Sequence, residues 1–265
     1  MKRVIHTFVV LAYKKNKDLE KCVKSVLNQK YNSKVIIATS TPNKFIDDIA
    51  KKYKLDIKIN KDSKKRIGDD FDFAIKCANT PLVTVAHQDD IYDYEYSQEV
   101  VDKYNESNNP IIIFTDYYEL RKNKKEYKNR NLKIKRFLLL PLKFKHNENK
   151  KWAKRYVIRF GNAICCPAVT FNKKNIEFPV FDSDLTCNVD WKAWEMLSKK
   201  KGSFCFINKC LMGHKVSNET TTTEIINSGV RTQEDFQIFR KFWPKPIASI
   251  LTKIYKNSEK SNKVE

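Results

Sequence analysis

Strand-like and helix-like segments alternate along the N-terminal part of the chain. Runs of β-forming apolar residues at Thr7–Ala12, Lys34–Thr39 and Asp56–Ile59 predict three strands. Between them, helical spacing of apolar residues in Leu19–Leu27 and Phe45–Tyr53 predicts two amphipathic helices. Such alternation is typical of right-handed βαβ units on a mostly parallel sheet. We therefore predict an α/β fold in the style of nucleotide-binding proteins, which does not by itself fix a function.

The next predicted strand, Leu82–Ala86, ends in the polar stretch His87–Asp90, which reads His-Gln-Asp-Asp. In open α/β sheets, ligands bind beyond the carboxyl ends of the strands. Two adjacent carboxylates, Asp89 and Asp90, repel each other unless a cation lies beside them. Mg2+ and Mn2+ commonly bind one or two carboxylates together with substrate phosphates. The stretch thus predicts a metal–diphosphate site, with an exposed acidic turn as the alternative.

The rest of the chain continues the mixture of strands and helices without an evident linker. Strands are predicted at Ile111–Asp116, Ala168–Asn172, Ser203–Ile207 and Leu211–Val216, and helices at Tyr96–Tyr104, Lys150–Phe160, Gln233–Trp243 and Pro246–Tyr255. Asn16 is expected to cap the Leu19–Leu27 helix, and Asn188 a further helix that carries Trp191 and Trp194. We predict one domain over residues 1–230 and a C-terminal helical extension over 231–265, with a disordered tail from Lys256. The polar segment Asn218–Thr223 is expected to be mobile.

Composition limits the classes of partner. Lys and Arg number 52 against 31 Asp and Glu, a net charge of +21, so the partner should be anionic: nucleic acid, an acidic membrane surface or a phosphorylated substrate. Hydrophobic content of 41% is ordinary for a folded protein. The seven scattered cysteines include no C-x-x-C pair and indicate a reduced, cytosolic protein. No apolar run predicts a signal peptide or a transmembrane helix.

Three segments resemble the family-2 glycosyltransferases. Phe8–Tyr13 followed by Leu19–Gln29 is similar to that family's first strand and helix. Phe71–Asp90 is similar to the helix and strand that lead to its Asp-x-Asp signature, and Asn188–Trp191 to its Glu-Asp-Trp segment. The resemblance implies a GT-A fold: a Rossmann-like, mostly parallel sheet with helices on both faces, here with the C-terminal helical extension. It also implies an inverting enzyme of the bacterial surface-polysaccharide type.

This sequence departs from the family pattern around the nucleotide pocket. His87 replaces the first Asp of the signature, and Val189 replaces the Glu of Glu-Asp-Trp. The second strand ends in Ala38–Asn43 where the family has an Asp-Asp-Gly-Ser type segment, and Phe71-Asp72 replaces an Arg-Asn pair. The metal and base positions are kept, whereas much of the nucleotide pocket is changed.

The resemblance assigns roles residue by residue. Asp190 is the expected catalytic base, although an Asp at a helix start can also be a simple cap. Asp89 and His214 are the expected ligands of Mn2+ or Mg2+. The expected donor-binding residues are Ala12, Tyr13, Thr39, Thr41, Asp70, His87, Gln88, Asp89, Asp90 and Lys215, with Arg231 as a further cation for the diphosphate. Cys166 and Trp191 are expected on the acceptor side, although Trp191 and Trp194 are spaced as core residues usually are.

These assignments predict a metal-dependent hexosyl- or N-acetylhexosaminyl-transferase. The donor would be a nucleotide-diphosphate sugar, UDP in the first instance, and the acceptor a saccharide linked to lipid. Basic segments with aromatic residues, Arg121–Lys145 and Arg240–Pro246, predict peripheral contact with an anionic membrane on its cytoplasmic face. No nucleic acid is expected. The alternatives are a nucleotidyltransferase acting on a sugar phosphate and a non-catalytic basic binding module.

Overall fold

A computed structural model describes residues 4–62, 66–122, 124–181, 184–216 and 229–260. Its strands are β1 (His6–Ala12), β2 (Lys34–Thr39), β3 (Ile57–Ile59), β4 (Leu82–His87), β5 (Ile91–Tyr92), β6 (Pro110–Arg121), β7 (Lys124–Glu126), β8 (Val169–Asn172) and β9 (Ser203–Lys215). Its α-helices are α1 (Leu19–Leu27), α2 (Lys44–Tyr53), α3 (Ile67–Cys77), α4 (Tyr96–Glu106), α5 (Arg130–Leu138), α6 (Lys151–Tyr156), α7 (Val189–Leu197), α8 (Val230–Phe239) and α9 (Lys245–Lys260).

The strands form a single sheet in the order β3-β2-β1-β4-β8-β6-β9-β5, with β7 paired to β6. The first four strands in this order are parallel, because each returns through a helix as the sequence predicts. The strand β8 is antiparallel to both β4 and β6, and β6 and β9 are again parallel to each other. This mixed, mostly parallel sheet confirms the predicted α/β class.

Side chains on the two faces of the sheet build two separate parts of the core. On β1, Phe8 and Val10 pack with α1 and α2, whereas Val9 packs on the opposite face with α3. The second face also receives α7 and both C-terminal helices, including the fully buried Phe239. Alternation along the strand thus covers both faces with helices, as expected for a sheet with βαβ crossovers.

The C-terminal helices are part of this packing. Ile238 and Phe239 of α8 and Ala248 of α9 are buried in the core under the second face. The helix α9 continues to Lys260, so ordered structure runs past Lys256, where the tail was expected to begin. Among the described residues, no helix combines the length and the apolar character needed to cross a bilayer.

Two local predictions need correction. Asn16 does not cap α1, which begins at Leu19; the Asn16 side chain instead accepts a hydrogen bond of 2.9 Å from the backbone N–H of Asp18 and closes the preceding turn. The segments predicted as two strands over 203–216 are one strand, β9, whose pairing with β6 shifts register near Asp116. The segment Asn218–Thr223 lies outside the described residues.

Candidate active site

The carboxyl ends of β1, β2 and β4 meet at one edge of the sheet. Their parallel register places Ala12 beside Thr39 and Leu11 beside His87. Polar residues that follow each strand are therefore brought together, as the sequence predicts for a ligand site. We call this the donor edge.

Side-chain hydrogen bonds to backbone fix the donor edge. The backbone N–H of Tyr13 donates to Oε1 of Gln88, and Nε2 of Gln88 donates to the carbonyl of Tyr13, both at 3.0 Å. The N–H of Lys14 donates to Oγ1 of Thr41 at 2.6 Å, and the N–H of Thr41 donates to Oγ1 of Thr39 at 3.0 Å. Gln88, Thr39 and Thr41 thus tie the ends of neighbouring strands together. The Tyr13 side chain remains 45% exposed and free to stack on a flat ligand.

A groove of about 680 Å³ opens beside the donor edge, between the loop after β1 and the start of α2. Lys14, Lys15 and Lys44 line it together with Thr41 and Phe45. Asp48 also lines the groove and lies 2.9 Å from Nζ of Lys44, so Lys14 and Lys15 give it a net positive charge, and it borders the expected nucleotide residues. Its lining does not extend to Asp89 or Asp190, so it is an outer part of the site.

Asp70 also lies at the donor edge, but its carboxylate is already used. Oδ2 accepts a hydrogen bond of 2.7 Å from Ser40, and Oδ1 accepts one of 2.8 Å from Asn60. Because the carboxylate is buried with both oxygens bonded, Asp70 holds the loops after β2 and β3 against α3. Asp70 thus positions these loops, and its expected direct contact with the donor stays a prediction.

His87 is held as a neutral ring. Its imidazole stacks on Phe71 with 5.2 Å between ring centroids and 13° between planes. Burial lowers the pKa of His87 to about 4. Its Nε2 is buried without a hydrogen-bond partner among the described residues, so it can still accept or donate one hydrogen bond to a ligand.

The two adjacent carboxylates have different environments. Asp90 is fully buried, and its Oδ1 accepts hydrogen bonds from Nδ1 of His214 at 3.0 Å and from the N–H of Lys215 at 2.8 Å. Asp90 therefore fixes the end of β9, and its expected contact with the sugar or diphosphate stays a prediction. Asp89 is only partly buried; burial and the neighbouring Asp90 raise its pKa to about 6.

Lys215 was expected to neutralise the donor diphosphate. In the structure its ammonium forms an ion pair with the carboxylate of Asp18, just before α1. Asp18 also lies 3.3 Å from Nζ of Lys21. The ion pair fastens the end of β9 to the start of α1, so Lys215 stabilises the site wall in this structure.

Asp89 and His214 stay the predicted ligands of a divalent cation. The hydrogen bond to Asp90 makes Nδ1 of His214 a donor and leaves Nε2 as the coordinating nitrogen, which is the usual orientation of a metal-binding histidine. Burial disfavours the charged form of His214, but Asp90 and then Asp89 act more strongly and raise its pKa. No group of three or more His, Cys, Asp or Glu ligands occurs in the described ranges. Two protein ligands suit a cation that also binds substrate phosphates.

Asp190 lies at the start of α7, and its carboxylate accepts two hydrogen bonds. Its Oδ2 accepts a hydrogen bond of 2.7 Å from Asn162, and its Oδ1 accepts one of 2.7 Å from the N–H of Trp191. Burial raises the pKa of Asp190, whereas these two hydrogen bonds and the nearby charge of Arg231 lower it. The net effect is a rise, which favours proton uptake.

The start of α7 is held from the C-terminal region. The carboxylate of Glu234, on α8, accepts hydrogen bonds from the backbone N–H groups of Thr186, Cys187 and Asn188 at 2.6, 2.9 and 2.9 Å. The expected cap, Asn188, makes no capping bond and donates instead to Asp235 at 2.8 Å. Glu234 therefore holds the segment that leads into α7, and its three partners precede the first residue of the helix.

Trp191 is a core residue, which corrects its expected contact with the acceptor. Its side chain is fully buried, and its indole N–H donates to the carbonyl of Ile158 at 2.8 Å. Its ring packs edge-on against Phe239 and at a tilt against Tyr255. Cys166 is only partly buried and close enough to Asp190 for that charge to act on its thiol, so its acceptor-side role stays a prediction.

Lys135 of α5 is a residue of the site that sequence reasoning missed. Its ammonium donates to the phenol of Tyr117 at 2.9 Å, and no ion pair with a carboxylate is found for it in the described part of the chain. Its charge acts on Asp190, His214 and Cys165. Lys135 is therefore near both the expected base and the expected metal ligand His214. It was hidden in a run of lysines and arginines, where only its inward position distinguishes it.

Comparison with known proteins identifies one sequence family and several solved structures of similar fold. Residues 7–169 match the sequence model of a family described as glycosyl transferase family 2. No curated protein matches the chain. Staphylococcus aureus TarS has a TM-score of 0.63 at 13% identity, covering 94% of this chain and 42% of TarS.

Shorter relatives of known structure are covered more fully. TarS 1–349 in complex with UDP-GlcNAc gives a TM-score of 0.63 at 12% identity, over 94% of this chain and 70% of that one. The mannosyltransferase PcManGT from Pyrobaculum calidifontis, in complex with GDP-Man and Mn2+, gives 0.61 at 13% identity, over 96% of this chain and 70% of that one. At such identities the likeness establishes the fold.

Proposed function

The chain belongs to glycosyl transferase family 2, and from this premise we propose that it moves a sugar from a nucleoside-diphosphate donor to a saccharide hydroxyl, with inversion. One observation carries the proposal. The side chains of Lys135 and Cys165 lie within electrostatic reach both of Asp190 and of the His214–Asp90 pair. These shared neighbours support a candidate base and a candidate cation site in the same region of the protein, which direct displacement at a sugar carbon requires.

In the proposed reaction, the carboxylate of Asp190 takes the proton of the acceptor hydroxyl as its oxygen attacks the anomeric carbon. The new carbon–oxygen bond forms on the face opposite the breaking bond to the diphosphate, so the configuration inverts. The nucleoside diphosphate leaves with the bonding electron pair. Asn162 orients Asp190, and the ammonium of Lys135 offsets negative charge that grows on the leaving group.

Tyr13, Thr41 and His87 would bind the nucleotide at the donor edge. Neighbours that bind UDP-GlcNAc and GDP-Man support a nucleotide sugar as donor. Asp89 and His214 would hold Mn2+ or Mg2+, as the Mn2+ bound to PcManGT suggests by analogy. When bound, the cation supplies charge that stabilises the departing diphosphate.

We extend the proposal to the acceptor and the location. The acceptor would be a saccharide carried on lipid, in bacterial surface-glycan synthesis, with the protein at the cytoplasmic face of the membrane. Residues 1–230 would be the transferase domain, and 231–265 the helical extension that steadies α7. The excess of positive charge supports both an anionic donor and an anionic surface.

A panel of UDP-, GDP- and TDP-sugars tests the proposal by thermal shift and by donor hydrolysis, with Mn2+ and with EDTA. We expect at least one nucleotide to raise the melting temperature with Mn2+, and Asp89→Asn to reduce that shift. Asp62→Asn, at an exposed carboxylate, is the matched control. No shift with any nucleotide would refute the donor site.

A further inference from the structure

Five large apolar side chains are exposed in one lysine-rich cluster of short helices. The cluster runs from α5 through two 3-10 turns, Leu140–Lys143 and Lys145–Asn147, to α6, and these pieces contact one another. The exposed side chains are Ile134, Phe137, Leu140, Phe144 and Trp152. Phe137, Phe144 and Trp152 are 62%, 59% and 57% exposed. We call this set the basic apolar face.

The fold does not need these side chains for its core. The same helices bury other apolar residues against the body, namely Leu132, Leu138, Leu142 and Ala153. Exposed large apolar residues grouped in this way mark an interaction surface. Ile134 and Phe137 lie three residues apart on the outer side of α5, and Leu140 follows three residues later.

The charges around the face select its partner. The stretch 130–152 exposes six cations: Arg130, Lys133, Lys143, Lys145, Lys150 and Lys151. Its one acidic residue, Glu148, is buried and lies 2.6 Å from Nζ of Lys103. Aromatic residues among cations, without exposed carboxylates, match the headgroup region of an anionic bilayer.

The second basic segment of the sequence, Arg240–Pro246, does not provide such a face. Phe242 and Trp243 are partly buried, and the guanidinium groups of Arg155 and Arg159 lie over their rings at 4.5 and 4.8 Å. The indole N–H of Trp243 also donates to the carbonyl of Arg159 at 2.8 Å. Its aromatic side chains pack on the body, so we do not include this segment in the face, and its membrane contact stays a prediction.

We infer that the basic apolar face docks the protein on an anionic lipid surface. The helix α5 joins this face to the site, because Lys135 and Arg136 turn inward to Tyr117 and Asp116 while Ile134 and Phe137 face solvent. Docking would bring the site within about 10 Å, one helix diameter, of the lipid headgroups. Delivery of a lipid-linked acceptor along this path rests on the proposed function, whereas the docking itself does not.

Sedimentation with lipid vesicles, without nucleotide, tests the inference. The wild-type protein should bind vesicles of equal phosphatidylglycerol and phosphatidylcholine and not those of phosphatidylcholine alone. The triple variant Phe137→Ser/Phe144→Ser/Trp152→Ser should lose about tenfold or more in partitioning. Lys133→Gln, Lys143→Gln and Lys145→Gln should each lose about fivefold, with a weaker salt dependence.

Ile59→Ser, on the edge strand β3, is the matched exposed control and should bind as wild type does. All variants should keep the wild-type melting temperature and nucleotide response, which separates loss of docking from misfolding and from failure of the proposed function. Binding unchanged in the triple variant, or absent in the wild type, would overturn the inference. So would a wild-type dimer that the triple variant converts to monomers, because a second copy would then cover the face.

Discussion

Two carboxylates near the site have opposite tasks because their hydrogen-bond partners differ. Asp90 is fully buried, and its Oδ1 accepts hydrogen bonds from His214 and from the backbone N–H of Lys215, so it holds the end of β9 in place beside the site. Asp190 is half-buried, is oriented by Asn162, and has a raised pKa. Its carboxylate is therefore the one suited to take up a proton.

Replacing Asp190 by Asn should abolish proton uptake while keeping its hydrogen bonds. The amide oxygen can still accept from the N–H of Trp191, and the new NH2 group can donate to Oδ1 of Asn162 once that amide flips, so the fold and the donor edge should be preserved. We expect kcat to fall by about 100- to 10,000-fold. The nucleotide-induced rise in melting temperature should remain. Asp184→Asn, at a fully exposed carboxylate, is the control, and turnover at the wild-type rate in Asp190→Asn would remove Asp190 from the mechanism.

Replacing Lys135 by Met tests whether its positive charge serves catalysis or only the stability of the fold. Loss of its charge beside the leaving group should lower kcat by roughly 10- to 100-fold. The free energy of unfolding should change by less than about 1 kcal/mol, because the side chain loses one neutral hydrogen-bond partner, Tyr117. Lys133→Met, exposed on the same helix, is the control for enzyme assays with soluble substrates. A variant that is less stable but fully active would contradict the catalytic role.

Residue types at strand and helix ends could be predicted from the sequence, but their long-range partners could not. Asp89 and Asp190 were identified because each follows a recognisable local pattern. Lys135 and Glu234 were missed because their partners are distant in the chain, and no local pattern indicates which of many charged residues turns inward. Trp191 shows the reverse case: its helical spacing predicts a core residue, and that simpler prediction agrees with its burial.

At the level of elements, the helix that carries the candidate base depends on its neighbour. The Glu234 carboxylate of α8 accepts hydrogen bonds from three consecutive backbone N–H groups of the segment that leads into α7. The placement of Asp190 thus depends on packing between two helices that are separated by β9 in the chain.

Replacing Glu234 by Ala should loosen the start of α7. Three buried hydrogen bonds to a charged acceptor are lost, so we expect a loss of about 2–3 kcal/mol in the free energy of unfolding, measured by urea titration. Glu234→Gln, which keeps an accepting oxygen, should lose less. Gln233→Ala, at the exposed neighbouring position, is the control. Equal stability of Glu234→Ala and wild type would show that the segment is held by other contacts.

Strand boundaries illustrate why element prediction was incomplete. The polar residues Asn208 and Lys209 interrupt an apolar pattern, so two strands were predicted where β9 is continuous. Pairing with the long strand β6 carries the backbone through the polar residues by a register shift. Tertiary pairing of this kind leaves no local trace in the sequence.

At the scale of the whole molecule, a buried polar chain crosses the sheet. In β1, Nδ1 of His6 lies 2.8 Å from Oγ of Ser33, and Nε2 lies 2.9 Å from Oγ1 of Thr84 in β4. Thr84 Oγ1 in turn lies 2.6 Å from Oγ1 of Thr170 in β8. Because His6 is fully buried, its pKa is lowered to about 3.

The lowered pKa makes the stability of the fold depend on pH. The unfolded chain protonates His6 near pH 6.5 and the folded chain only near pH 3, so this contribution is complete above pH 6.5 and is lost as the pH falls. As the pH falls from 6 to 4, the unfolding free energy of the wild type should decrease by about 1.4 kcal/mol more per pH unit than that of His6→Gln. Urea titrations across that range measure it.

His146→Gln, at an exposed histidine, should leave the slope unchanged. His87 also has a lowered pKa, but it contributes the same pH dependence to the wild type and to both variants. It therefore does not affect the difference between their slopes of unfolding free energy against pH. Parallel pH profiles for wild type and His6→Gln would show that His6 does not carry the effect.

The hydrogen bonds that Glu234 of α8 accepts from the segment before α7 bear on where the chain could be truncated. The family match ends at residue 169, before Asp190, His214 and Glu234. A protein cut at that point would lose β8 and β9, which pair with β4 and β6, together with the group proposed to activate the incoming hydroxyl. The proposed base and one proposed cation ligand thus follow the matched region, and substitutions around the incoming hydroxyl can accumulate there while the nucleotide contacts before residue 169 stay the same.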